Sequence, residues 1–259
     1  MIYLQQREEV VALAQQDLSD NLIDQFARQI IVPGVDEEGQ QNLSQKRIFI
    51  IGLGALGTVA SQYLVRAGIG DIALIDPDTI AQSNLHRQIN YDSQDIGKLK
   101  STVSKSKLSH INNVTQINEY ALDFEGFVKK NNNPVCDLIL DCTDSHQNKI
   151  YSSIYAKKFL LPFVSISINS TEGIYFAQDY SKKNTTCFKC LFPIADKNHR
   201  CLNSAMIGPV AGFVTSLACT KIIFALAKEK VEIANEISLI DLLTSDINKL
   251  QLSSTSCGH

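Results

Sequence analysis

The chain has 259 residues, 44% of them hydrophobic and 20% charged, with a net charge of −3. That is enough apolar chain for one large core, and the charged fraction is that of an ordinary soluble globular protein. The slightly acidic balance, with no basic run interleaved with aromatics, argues against a broad nucleic-acid surface.

The start, MIYLQQREEVVALAQQD, lacks a basic region followed by an unbroken apolar run, so no secretory signal is expected there. To about Gln45 the chain is polar and periodic, with Leu22, Ile23, Phe26 and Ile30 at helical spacing behind Ser19 and Asp20 as a cap. KRIFIIG (46–52) has the short, unbroken apolar run of a buried parallel strand. Residues 55–67 are helical in pattern and DIALID (71–76) is the next strand, which completes one βαβ unit. A helix is expected over 95–111, a strand over 114–119, a helix over 124–130, a strand over 137–142, a helix over 146–158 and a strand over 163–168. After Gly173, a strand-like IYFAQDY leads into a polar loop holding Cys187-x-x-Cys190. The apolar stretch 205–227 contains Pro209, several hydroxyls and Lys221, and is read as a buried helix and not a membrane span. ISLIDL follows as a late strand.

Alternating strands and helices predict an α/β fold: a Rossmann-like, mainly parallel sheet with helices on both faces and a decorated C-terminal third. No repeat and no Pro-, Gly- or Ser-rich linker divides the chain, so a single domain is expected over 1–259. It comprises an extension (1–18), a helical arm (19–45), a βαβ core (46–168) and a C-terminal region (169–259). Seven cysteines without a signal sequence point to a reducing, cytoplasmic setting.

Gly52, Gly54 and Gly57 form GxGxxG directly after a strand and at the opening of a helix. Glycines there permit a tight turn and close approach to phosphates, and the helix N-terminus offers free N–H groups to the anion. Asp76 ends the second strand, where a carboxylate can take ribose hydroxyls. The motif identifies an adenine nucleotide without choosing between NAD and ATP. The choice rests on Asn84, Arg87, Gln88 and Lys100, bunched just beyond Asp76. Attack on an α-phosphate builds charge on the phosphoryl oxygens and on departing pyrophosphate, and preplaced cations stabilise that charge. Asp144, after the strand 137–142, can hold the magnesium ion that bridges phosphates. Each residue also has a plainer reading: Arg87 and Lys100 as solvated charges, Asp144 as a helix cap.

The runs RQIIVPGVDEEGQQNL, IIGLGALGTVASQYLVRAGIGDIALIDPDTI, SNLHRQ, LILDCTDS and CFKCLFP together resemble the ThiF/MoeB/HesA family, bacterial relatives of ubiquitin-activating enzymes. The resemblance extends from about Gln25 to the C-terminus. It implies an ATP-dependent adenylyltransferase that activates the terminal carboxylate of a small ubiquitin-like sulfur-carrier protein ending in Gly-Gly. Carried over by position, Gly52, Gly54 and Gly57 would cradle phosphate and Asp76 would bind ribose. Asn84, Arg87, Gln88 and Lys100 would contact phosphates, and Asp144 would ligate magnesium. Arg28 would reach into the neighbouring subunit's site, which implies a homodimer, and residues 169–259 would serve carrier and dimer. Cys201 matches a cysteine some relatives use in sulfur or thioester transfer, with a separate protein as sulfur donor. The alternatives are an enzyme adenylating a peptide natural product and an NAD-dependent oxidoreductase using the same glycine loop.

The resemblance breaks in places. Relatives with zinc pair the first CxxC with a second; here Cys187 and Cys190 face only Cys257, with Ser254 at the partner position and His259 as a possible fourth ligand. Ala55, Ser145 and Gln25 stand where relatives usually carry glycine, asparagine and arginine.

Overall fold

The computed structural model describes residues 20–182, 185–193, 205–228 and 233–252. Strand β1 (Arg47–Ile51) is buried on both faces after its first residue. A run that is apolar on both sides needs cover on both sides, and β1 pairs in parallel with β2 (Asp71–Ile75) and β4 (Leu138–Asp141). β2 pairs with β3 (Gln116–Tyr120) and β4 with β5 (Pro162–Asn169), again in parallel. The sheet then turns antiparallel through β6 (Glu172–Asp179), β7 (Glu236–Asp241) and β8 (Asp246–Gln251). Its order is β3-β2-β1-β4-β5-β6-β7-β8. The expected parallel sheet is thus the first five strands. β5 and β6 are joined by Ser170 and Thr171 alone, and so short a link permits only an antiparallel pair.

Residue alternation divides the core. Ile48 and Ile50 of β1, Ile72 and Leu74 of β2, and Leu138 and Leu140 of β4 face one side. They meet α2 (Asp36–Ser44), α3 (Ala55–Arg66), α4 (Lys100–Leu108) and α8 (Gly208–Ala227). Phe49, Ile51, Ala73, Ile75 and Ile139 face the other side, toward α5 (Phe124–Lys130), α6 (His146–Lys158) and α7 (Phe188–Leu191). Helix α1 (Asp20–Ile30) packs on α2 and brings Phe26 into the structure.

α8 is long and apolar enough to cross a membrane by length and composition, with a mean hydropathy of 1.9. Here it is a core helix. Val210, Ala211, Val214, Ala218 and Ile222 are buried against α3 and the sheet, and a helix that is apolar all round is what such a position selects.

Candidate active site

In this strand order, β1 has β2 on one side and β4 on the other, so the chain leaves the carboxyl ends of β1 and β4 in opposite directions. The crevice at such a reversal is where open α/β sheets take ligands. The glycine loop leaves β1 there, and the segment holding Asp144 leaves β4 there.

The three glycines have different physical reasons. Gly52 has φ +85°, a backbone conformation that favours glycine. A Cβ on Gly57 would lie 1.8 Å from the Gly52 carbonyl oxygen, so α3 can close on the loop only without a side chain there. Gly54 is required by neither. A Cβ on it would meet only the Gln88 amide nitrogen, at 3.7 Å, so its absence leaves open room in front of the N-terminus of α3. Gln88 is buried, and its Oε1 has no hydrogen-bond partner among the described residues. The open room, the N–H groups at the start of α3 and the Gln88 amide nitrogen that faces Gly54 fit a phosphate-bearing ligand at this helix N-terminus, whereas the unpartnered Oε1 is an acceptor and suits a hydroxyl of that ligand.

Asp76 sits under the loop. Its carboxylate accepts from Leu53 N at 2.6 Å and from Asp78 N at 2.8 Å. Burial pushes the Asp76 carboxyl above its ordinary value, while Lys100 and the two N–H donors pull it back part of the way. Tyr91, which the sequence did not single out, holds the loop from the other side: its hydroxyl donates to Leu53 O at 3.0 Å and lies 3.0 Å from Ser104 Oγ. Lys100 opens α4. Its Nζ is 2.8 Å from Asp78 Oδ2, and its main-chain N donates to Asp78 O. Asp78 is therefore a further member of the site, visible in the sequence only as the second acid of DPD.

The Asn84 carbonyl receives the N–H groups of both Arg87 and Gln88, a tight turn that sends the two side chains to different places. Gln88 goes inward to Gly54. Arg87 stays partly exposed, and its Nη1 donates to Ser83 O at 2.7 Å. Asn84 Oδ1 accepts from Ala81 N, which holds the turn's entry. The start of α8 closes on this segment, since a Cβ on Gly208 would be 3.4 Å from His86 O.

Asp144 is exposed on the turn between β4 and α6. It is not the cap of α6: Ser145 takes that place, its Oγ accepting from Asn148 N at 3.3 Å. The preceding Thr143 packs against the glycine loop, with its backbone N 3.1 Å from where a Gly52 Cβ would be. An exposed carboxylate that makes no hydrogen bond or ion pair among the described residues, one position after Thr143, is the donor type magnesium takes.

The fold does not bring Arg28 to these residues. It is exposed on α1, next to Gln29, whose Nε2 donates to Ala67 O at the far end of α3. The glycine loop lies at the near end, about 18 Å away along the helix. Cys187 is buried at the start of α7 and Cys190 is exposed. Among the described residues no group of three or more His, Cys, Asp or Glu side chains could hold a metal ion. Cys201, Ser254, Cys257 and His259, like Ser19 and the 1–18 extension, lie outside the described residues. Burial pushes up the thiols of Cys136, Cys142 and Cys219, the last to about 12, so these three are inert core residues.

Residues 26–259 match the model of the ThiF family. The chain is 32% identical over 244 residues to the molybdopterin-synthase adenylyltransferase of Escherichia coli K12, covering 91% of this chain and 95% of that protein. It is 30% identical over 246 residues to the sulfur carrier protein ThiS adenylyltransferase of the same strain, covering 93% and 97%. The crystal structure of E. coli MccB with ATP superposes with a TM-score of 0.75 at 25% identity, covering 85% of this chain and 68% of that one. With the glycine cradle, the acid beneath it and the NLHRQ turn assembled at one sheet edge, the chain belongs to the ThiF family.

Proposed function

We propose that this protein is an ATP-dependent adenylyltransferase that activates the C-terminal Gly-Gly carboxylate of a ubiquitin-like sulfur-carrier protein. The observation that carries the reading is the open cradle at the carboxyl end of β1, where Gly54 leaves room in front of α3 facing the Gln88 amide nitrogen, in a chain whose relatives are adenylyltransferases. That kinship favours nucleotidyl transfer over the dinucleotide oxidoreductase that shares the loop.

A carboxylate oxygen of the carrier attacks the α-phosphorus, the bond from that phosphorus to the β-bridging oxygen breaks, and pyrophosphate leaves. Negative charge grows on the phosphoryl and departing oxygens. Lys100 and Arg87 offer it a point charge and a planar fork, and Gln88 and the N–H groups at the start of α3 offer hydrogen bonds. Lys100 is held by Asp78 before nucleotide arrives, so it is already placed and does not have to be ordered in the transition state. Asp76 fastens the loop and has lone pairs left for a ribose hydroxyl. Asp144 would hold magnesium, which neutralises phosphate charge when bound.

Three further assignments belong to this reading. Arg28 serves a second copy of the chain, so the working unit is a homodimer with sites completed across the interface. Cys187 and Cys190 would supply two thiolates to a zinc ion, which would need Cys257 and His259, outside the described residues, as its remaining donors. Cys201 serves sulfur transfer after adenylation, with a separate protein as sulfur donor.

The test is ATP–pyrophosphate exchange with purified protein, magnesium and a panel of small carriers ending in Gly-Gly. Exchange with one carrier, lost on removal of its last glycine, is the expected result. ATP binding without exchange for any carrier would move the substrate to another carboxylate, such as that of a peptide. No ATP binding would overturn the reading.

A further inference from the structure

Beneath the Asp144 turn lies a buried ion pair that the adenylation chemistry does not itself use. Asp141, the last residue of β4, is fully buried, and Lys149 of α6 is 4% exposed. Lys149 Nζ lies 3.2 Å from Asp141 Oδ1, 3.3 Å from Asp141 O and 2.9 Å from Ile166 O on β5. Its three ammonium protons therefore have three acceptors. Asp141 is equally engaged: Oδ1 accepts from Thr143 N at 2.9 Å and Thr143 Oγ1 at 2.7 Å, and Oδ2 from Ser152 Oγ at 2.5 Å.

A buried ion pair is seldom more stabilising than an apolar replacement of the same shape, because desolvating both charges offsets most of their attraction. What it supplies is position. This one ties together the end of β4, the turn at Thr143, helix α6 and strand β5. Asp144 stands between two residues fixed in this way: Thr143, held by Asp141 and packed on Gly52, and Ser145, the cap of α6. The backbone on either side is immobilised while the Asp144 carboxylate is exposed.

We propose that Asp141 and Lys149 are a positioning pair that aims the Asp144 carboxylate at magnesium bound with the nucleotide. This rests on the reading of Asp144 given above. Groups that orient a metal ligand without touching the metal typically change metal affinity 10- to 100-fold when removed.

The test follows the affinity of a fluorescent ATP analogue, trinitrophenyl-ATP, first in EDTA and then with rising magnesium, for Lys149→Met, Lys149→Arg, Thr143→Val and Asp144→Asn. Lys149→Met is expected to raise the magnesium concentration for half-maximal tightening roughly tenfold, with affinity in EDTA within about twofold of the unaltered protein. Lys149→Arg, which keeps a cation, restores most of the magnesium response. Thr143→Val removes one donor to Asp141 without disturbing the charges, and decides the matter if Lys149→Met does not fold; a shift of about threefold is expected. A normal magnesium response in Thr143→Val and in folded Lys149→Met, with Asp144→Asn shifted, overturns the positioning role alone. A normal response in Asp144→Asn overturns the reading of Asp144 and the pair's role with it.

Discussion

The main-chain N–H of Leu53 donates to the Asp76 carboxylate at 2.6 Å, so the residue expected to bind ribose also fastens the middle of the glycine loop. The carboxyl of Asp76 stands above its ordinary value because burial outweighs the pull of Lys100 and the two N–H donors. The sign of the linkage follows from that. An acid raised in the folded state adds stability below its unfolded pKa, and that contribution is lost as pH rises through the folded value.

Lys100→Met removes the positive charge that pulls on Asp76, along with the ion-pair partner of Asp78, and pushes Asp76 higher still. The stability deficit of the variant is expected to be small near pH 3, where Asp76 is protonated in both proteins, and to grow toward neutral pH. Denaturant midpoints at pH 3, 5 and 7 measure it. A deficit equal at all three values would mean that Lys100 does not act through Asp76.

Gly54 and Gly57 look alike in the motif, yet they separate binding from folding. At Gly57 a methyl group would overlap the Gly52 carbonyl, so Gly57→Ala is expected to cost on the order of 1–3 kcal/mol or more, as overpacking does. At Gly54 the methyl meets only the Gln88 amide, at an ordinary contact distance. Gly54→Ala is expected to keep its stability to within about 0.5 kcal/mol while its ATP affinity falls at least tenfold. Thermal unfolding and nucleotide titration on both variants decide it. Equal ATP affinity in Gly54→Ala would place the nucleotide elsewhere.

In the parallel half of the sheet β1, β2 and β4 were legible because each carries an unbroken apolar run, and a glycine signal closes the first. β8 was not, since DINKLQ is exposed at every position and carries no apolar pattern. The helix expected over 95–111 begins only at Lys100. Before it, Asp92 and Asp95 cap a short turn over Ser93–Asp95, and Lys107 reaches back to both acids, so its apparent helical spacing holds a loop. Of the candidate site, the glycines and Asp76 stood out by spacing, and Gln88 and Lys100 by their bunching after Asp76 and by the family resemblance. Asp141 and Lys149 were not, because a lysine in a helical pattern reads as a solvated charge until the fold buries it.

Glu236 gives the opposite pH behaviour to Asp76. It is fully buried, and although burial pushes its carboxyl up, Lys221 and Lys249 outweigh that and hold it below the ordinary glutamate value of 4.5. Lys221 also lies over the Tyr175 ring, 4.5 Å from its centroid, so α8 and β8 both close on this acid. A lowered acid adds stability above its unfolded pKa and loses it as pH falls through the folded one. Glu236→Gln should therefore be less stable than the unaltered protein at pH 7, with the deficit shrinking below about pH 4.5. Thermal midpoints from pH 3 to 7 measure this, and a deficit that widens on acidification would contradict it.

The placement of Arg28 makes the homodimer testable without a structure of the assembly. Within one chain it sits beyond the C-terminal end of α3, while the cradle is at the N-terminal end. If its target is the partner's cradle, Arg28→Ala and Asp144→Ala damage different halves of a composite site. Each variant alone is expected to lose pyrophosphate exchange. Unfolded together and refolded as an equal mixture, half of the dimers are mixed, and each mixed dimer has one intact site of two. That returns roughly a quarter of full activity, as two-fold pairing requires. Recovery near a quarter assigns Arg28 to the neighbouring site. No recovery, with mixed dimers confirmed by differently tagged chains, would put Arg28 and Asp144 in the same site of one chain and remove the reason for sites shared across the interface.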